Sequence, residues 1–122
     1  MRSDRAAALV AVVAGAIFLV FGIGKFVNHG AELDAFRGYG LPLPEVTVIA
    51  VGALETVGGA LLIARRLVGP VAALMAGNMA VAIAVSGIGK GEVVPSLTLA
   101  PALLAGMIYL LAHHPIRPAR PR

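Results

Sequence analysis

Four long apolar runs, at 6–24, 46–64, 67–85 and 93–112, dominate this chain. Each holds about 19 or 20 residues, and a helix crossing the hydrocarbon core of a bilayer needs about 20. In hydrocarbon, backbone N–H and C=O groups have no water to bond, so such runs close their hydrogen bonds as helices. Composition agrees. With 59% apolar residues, 13% charged residues and a mean hydropathy of +0.92, the chain has too little polar surface to cover a water-facing globule. The expected fold is an all-α membrane protein. It is an antiparallel four-transmembrane-helix bundle forming one domain, residues 1–114, with a basic Pro/Arg tail at 115–122. The first run could instead be a cleaved signal, since Arg2 and Arg5 precede it and Ala14-Gly15-Ala16 resembles a cleavage site. Its apolar stretch continues through Val20 and Phe21, longer than such signals run, so a retained span is expected.

The charges lie between the runs, with no basic stripe interleaved with aromatics. The net charge of +4 is therefore not read as a nucleic-acid footprint. An even number of spans puts Arg2, Arg5, Arg65, Arg66, Arg117, Arg120 and Arg122 on one side, seven of the ten basic residues. The other side holds Lys25, Arg37 and Lys90, with Glu32, Asp34, Glu45 and Glu92. The positive-inside rule then makes both termini cytoplasmic. The short connection at 65–66 predicts a tight hairpin between the second and third spans.

Residues 25–45 form the one connection with room for structure outside the bilayer. Residues 31–37 can make two helical turns, with Leu33 and Phe36 on one face and Gly38 as a stop. We expect a short interfacial helix in this first extracytoplasmic loop; the competing reading is a disordered loop. Leu41-Pro42-Leu43-Pro44 predicts an extended entry to the second span, because proline disfavours helix in the residue before it. Tyr39 suits an interface, with a dry ring and a wet hydroxyl.

Glu55 stands in the middle of the 46–64 run, which has no other charge. A carboxylate at that depth costs about 2.5–3.5 kcal/mol on insertion scales, so residues placed there usually face a bundle interior and carry a function. Gly52, Gly58 and Gly59 share its helical face and would let another helix come close. Lys25 extends the packing face of Gly15, Phe18 and Gly22. It is either a snorkelling anchor or a cation turned inward. Counting depth from the run ends leaves Lys25 well above Glu55, so a water or a ligand head group is expected to bridge them. Asn78 falls near the level of Glu55 and is either interhelical glue or a member of the same site. Phe36 and Tyr39 are the lid candidates over a cavity lined by Lys25, Glu55 and Asn78.

Other features read as structural. Ala72, Ala76, Ala80 and Ala84 form a small-residue stripe suited to close packing. Pro101, with Pro95 near the helix start, is expected to interrupt and kink the fourth helix. The absence of cysteine removes disulfide exchange, thiolate metal sites and c-type haem attachment. His113 and His114 are adjacent at one end and His29 is on the far side, so neither a bis-His haem nor a metal site is expected.

Several of these residues match a known pattern. Phe21-Gly22-Ile23-Gly24-Lys25-Phe26, then Phe36 with Tyr39-Gly40-Leu41-Pro42-Leu43-Pro44, then Gly52-Ala53-Leu54-Glu55-Thr56-Val57-Gly58-Gly59-Ala60-Leu61-Leu62 together resemble the DoxX family of small four-helix bacterial membrane proteins. That resemblance implies a bacterial cell (inner) membrane location. It also implies association with quinone-linked oxidoreductase systems, in thiosulfate oxidation or oxidative-stress assemblies. The chain would be a membrane subunit or partner with a quinone as its candidate ligand. It would not be a stand-alone redox enzyme, having no cysteine, haem or metal site to carry electrons. The implied partners are the lipid bilayer, soluble or membrane redox proteins, and further copies of the chain. The alternatives are a structural membrane partner without ligand and a small proton-coupled multidrug exporter. Exporters of that kind carry their glutamate in the first helix, usually with a tryptophan, and here both are missing.

Overall fold

Glycine decides where these helices meet. The computed structural model describes residues 2–92 and 97–114, without the side chains of Arg2 and Ser3. Its elements are α1 (Arg2–Val27), α2 (His29–Gly38), α3 (Pro44–Ala64), α4 (Val68–Ala82), a π-helical turn (Ile83–Ile88) and α5 (Leu99–His113). Among the described residues there is no strand. α1, α3 and α4 with its π turn are long and apolar enough to cross a membrane. The chain is thus a membrane protein, as its sequence indicated.

α1 and α3 run antiparallel and make the most extensive helix contact in the molecule. A Cβ placed on Gly59 would stand 2.5 Å from the carbonyl oxygen of Gly15, and one on Gly15 would stand 2.6 Å from that of Gly59. One on Gly22 would lie 2.5 Å from the backbone nitrogen of Thr56. Two backbones come this close only where neither carries a side chain. α4 and α5 make the second close pair, joined by side chains instead. Met75, Met107 and Leu110 are fully buried there, and Phe18 and Leu62 reach in from the first pair. The side chain of His113 lies 3.1 Å from that of Asp4, which fixes the start of α1 beside the end of α5.

Several expectations need correction. The connection at 65–67 is nearly all turn, with Arg65 and Leu67 left-handed (φ 56° and 53°), but no tight hairpin follows. α3 is committed to α1 by its glycines, and α3 and α4 touch far less. The alanine stripe is not a packing face: Ala72 is fully buried, whereas Ala80 and Ala84 are exposed. A repeat of four residues drifts about 40° per step around a helix of 3.6 residues per turn. The buried face of α4 follows Val68, Val71, Ala72, Met75 and Met79 instead. The fourth helix, with 15 residues, is shorter than the expected span and begins at Leu99. Residues 93–96, Pro95 among them, and the tail 115–122 lie outside the described residues. Pro101 therefore sits in the first turn of α5, where its missing N–H has no helical partner to lose and no kink is required.

The connection between α1 and α3 contains a helix, α2, with Gly38 as its last residue and Phe36 buried. The entry to α3 is not simply extended. Leu43 is left-handed (φ 46°) and Pro44 is the first residue of α3. The chain has to reverse out of α2 at that point. The hydroxyl of Thr47 donates to the carbonyl of Pro42 and the Thr47 amide to that of Leu43, which hold the reversal.

Candidate functional site

Lys25 and Glu55 are brought together by the offset between α1 and α3. A Cβ on Gly52 would meet the Cβ of Lys25 at 3.1 Å, and one on Gly22 would meet the carbonyl carbon of Glu55 at 2.9 Å. Lys25 is therefore level with Gly52, and Glu55 lies one turn further along, about 4.5 Å at 1.5 Å per residue. The spans are not flush. α3 begins roughly six residues beyond the level at which α1 ends, about 9 Å, and that overhang runs beside α2. A lysine stem covers the remaining gap, so the expectation of a bridging water or ligand is overturned. Lys25 Nζ lies 2.9 Å from Glu55 Oε1.

The other oxygen of Glu55 is also held. Asn78 Nδ2 donates to Glu55 Oε2 at 2.8 Å, the contact that the matching depths of the two residues allowed. The Glu55 side chain is 5% exposed and that of Lys25 12%. The bond from Lys25 to Oε1 is an ion pair without hydrogen-bond geometry, and Oε1 has no other partner among the described residues. Lys25 also faces Glu32 of α2 at 3.8 Å, and the Glu32 side chain is one-third exposed. A polar line thus runs from Asn78 through Glu55 and Lys25 to Glu32 at the loop end. An isolated buried charge is very costly; here each buried charge has an opposite partner.

Beside this line lies a cavity of about 350 Å³, within the range of small-molecule sites. Phe21 and Val51 line it from the first helix pair, and Met79, Val85 and Leu103 from the second. Lys25, Glu55 and Asn78 reach it from the helices, and Phe36 and Tyr39 from the loop. The two rings of the loop pack at 5.9 Å between centroids, inclined by 46°. The Tyr39 hydroxyl donates to the carboxylate of Glu92, at 3.1 and 3.3 Å from its oxygens. Burial, with the Glu92 carboxylate beside it, pushes the Tyr39 phenol up to about 12.

Sequence reasoning missed the polar lining residues Glu32, Thr47, Ser86 and Glu92. Ser86 is buried in the π-helical turn, where its hydroxyl donates to the carbonyl of Ala82 at 2.6 Å. It also bonds the Tyr39 side chain. Turns of this kind are rare and recur at functional sites. Glu32 and Glu92 entered only as charges on one side of a topology count; the same count showed acids outnumbering bases at the end where the cavity lies. The histidines do not converge. His29 is in α2 and His113 and His114 are at the opposite end, and no group of three metal-ligating side chains occurs among the described residues.

A family model described as DoxX matches residues 6–87, a stretch that contains Lys25, Glu55 and Asn78 and the aromatics Phe36 and Tyr39. Comparison with curated proteins and with solved structures returns no match.

Proposed function

The chain belongs to the DoxX family, and from that premise we propose that it is the ligand-binding membrane subunit of a quinone-linked oxidoreductase system. One observation carries the reading: a cavity of about 350 Å³ whose floor is the Lys25–Glu55–Asn78 cluster. Phe21, Val51, Met79, Val85 and Leu103 in its walls suit a lipid-soluble ring, and Lys25, Glu55 and Asn78 suit a polar head group. Lys25 and Asn78 would hold the head group, Glu55 would exchange a proton with it, and Phe36 and Tyr39 would cover it. Lys25 and Glu32 give that proton a way to the loop end. Electrons would come from or pass to a partner protein. The exporter reading loses ground because such a carboxyl must alternate between proton and drug, and here it is neutralised by Lys25.

In this reading the protein lies in the bacterial inner membrane, with α2 on its outer surface and both termini in the cytoplasm. The test is binding of decylubiquinone to the purified protein in nanodiscs, by calorimetry. The double variant Lys25→Met/Glu55→Leu removes the head-group contacts and leaves no orphan charge. Its affinity should fall at least tenfold, as expected for losing one hydrogen bond to a charged group, about 1.5–3 kcal/mol. Unchanged affinity in the double variant would refute the assignment. Maleimide labelling of single cysteines on intact cells checks the topology: Ala31→Cys should react and Ala119→Cys should not.

A further inference from the structure

The cavity reaches the surface of the bundle on two sides. Of its described lining residues, only Ala31 and Val81 are exposed. Ala31 stands in α2 beside Glu32, which faces Lys25 at 3.8 Å, so that rim is charged. Val81 stands in α4 and is 50% exposed. Its rim follows from the way α3 and α4 part. Near the turn that joins them the two helices touch: a Cβ on Gly58 would meet Met75 Sδ at 3.3 Å and Val71 Cγ1 at 3.4 Å. One turn further along, the bond from Asn78 to Glu55 still spans the seam. Beyond that bond α3 carries Val51 and α4 carries Val81, and both line the cavity. From Pro44 to Val51 and from Val81 to Ile88 is seven residues in each case, so the two valines lie about 10 Å inside the loop ends of their spans. At that depth the surroundings of the bundle are hydrocarbon.

We propose that the gap rimmed by Val51 and Val81 is an alkyl-chain subsite, through which the tail of a ligand seated at Lys25, Glu55 and Asn78 passes into the bilayer. The inference rests on the quinone reading above and adds the class of quinone: one that carries a lipid tail, taken from the membrane and not from water. A tail longer than the cavity has to leave it somewhere. Leaving past Ala31 would bring methylene groups against the Lys25–Glu32 pair and into water, which apolar groups avoid. Leaving between the two valines keeps the chain in apolar surroundings along its whole length, while the head group stays on the polar cluster one turn away.

The experiment is a calorimetric titration, in nanodiscs, with decylubiquinone and with the same quinone lacking its chain. Val81→Trp fills the gap from an exposed position. Ile108→Trp, exposed on α5 and not part of the lining, controls for the bulk of the new ring. Val81→Trp should weaken decylubiquinone by about tenfold or more, the scale of overpacking by one side chain. It should leave the chainless quinone within about twofold of wild type, and Ile108→Trp should leave both ligands there. Each ligand is compared with itself across variants, so its partition into lipid cancels. Equal loss of the two ligands in Val81→Trp, or loss of neither, would overturn the tail assignment while leaving the quinone reading in place. If decylubiquinone does not bind the wild-type protein, both fall. Should Val81→Trp fail to fold, Val51→Phe narrows the same gap from α3 and is read by the same outcomes.

Discussion

The two ends of this bundle solve the same problem in opposite ways. At the end where α1 begins and α5 finishes, space is filled by Phe18, Leu62, Met75, Met107 and Leu110, all fully buried. At the loop end the helix pairs part around a cavity, and the buried charges cluster there. Packing at the first end is what lets the second stay open. A void of this size would simply collapse in a uniformly soft bundle, and its polar lining would lose its fixed partners. The α1–α3 seam, closed backbone to backbone through Gly15, Gly22 and Gly59, supplies the stiffness on one side of the cavity.

The largest expected effect comes from breaking that seam. Gly59→Val drives a side chain into the carbonyl of Gly15 at 2.5 Å, and backbone cannot swing aside as a side chain does. Overpacking alone costs about 1–3 kcal/mol, and here the obstacle is the other helix itself. No monodisperse protein should be recovered on size exclusion in mild detergent. Gly30→Val, at an open position of α2, should be recovered at wild-type yield.

Next in size is the polar end. Lys25→Met leaves Glu55 buried beside a single partner, Asn78, and removal of one member of a buried pair costs about 3–5 kcal/mol. Its melting temperature should drop well below that of wild type, and Lys25→Met/Glu55→Leu should recover most of the loss. A double variant no more stable than the single one would show that the two charges do not depend on each other.

A smaller effect is expected where the loop meets the second helix pair. Tyr39→Phe removes the bonds to Glu92 and should cost about 1 kcal/mol. It should also change the response to alkali. The folded protein holds the phenol up to about 12, above its ordinary value of 10.0. The folded state therefore keeps a proton that the unfolded chain releases. That stabilisation is complete below roughly pH 10 and is lost as pH rises towards roughly 12. Melting temperatures measured across this range should fall more steeply for wild type than for Tyr39→Phe. At the bottom of the scale, Ala80→Leu should change stability by less than about 0.5 kcal/mol, since Ala80 is exposed and not part of a packing stripe.

The sequence made the helices legible because hydrocarbon permits few alternatives. It also singled out Glu55 by the cost of placing it, and Asn78 by its depth. The offset between α1 and α3 was not legible. It depends on which glycine meets which, and a count from the run ends assumes flush helices. That assumption separated Lys25 from Glu55. The failed alanine stripe has the same origin, since a repeat of four is close to the helical period without equalling it. The π turn left no periodic trace, and through it Ser86 and Glu92 joined the cavity unannounced. Contacts between elements distant in sequence, such as Tyr39 with Glu92, were beyond the reach of local pattern.

The pairing of Lys25 with Glu55 bears on how the protein responds to voltage. An ion pair has no net charge, so the membrane potential does no work on it as a unit. Replacing Glu55 alone by a neutral residue would leave Lys25 facing only the partly exposed Glu32, and would change the charge that the field can act on. Moving one charge across the whole membrane is worth about 2.3 kcal/mol per 100 mV. A site reached from one surface experiences only the fraction of that drop lying between the surface and the site. The field would accordingly act on such a variant in proportion to the depth of the site, while it does no net work on the intact Lys25–Glu55 pair.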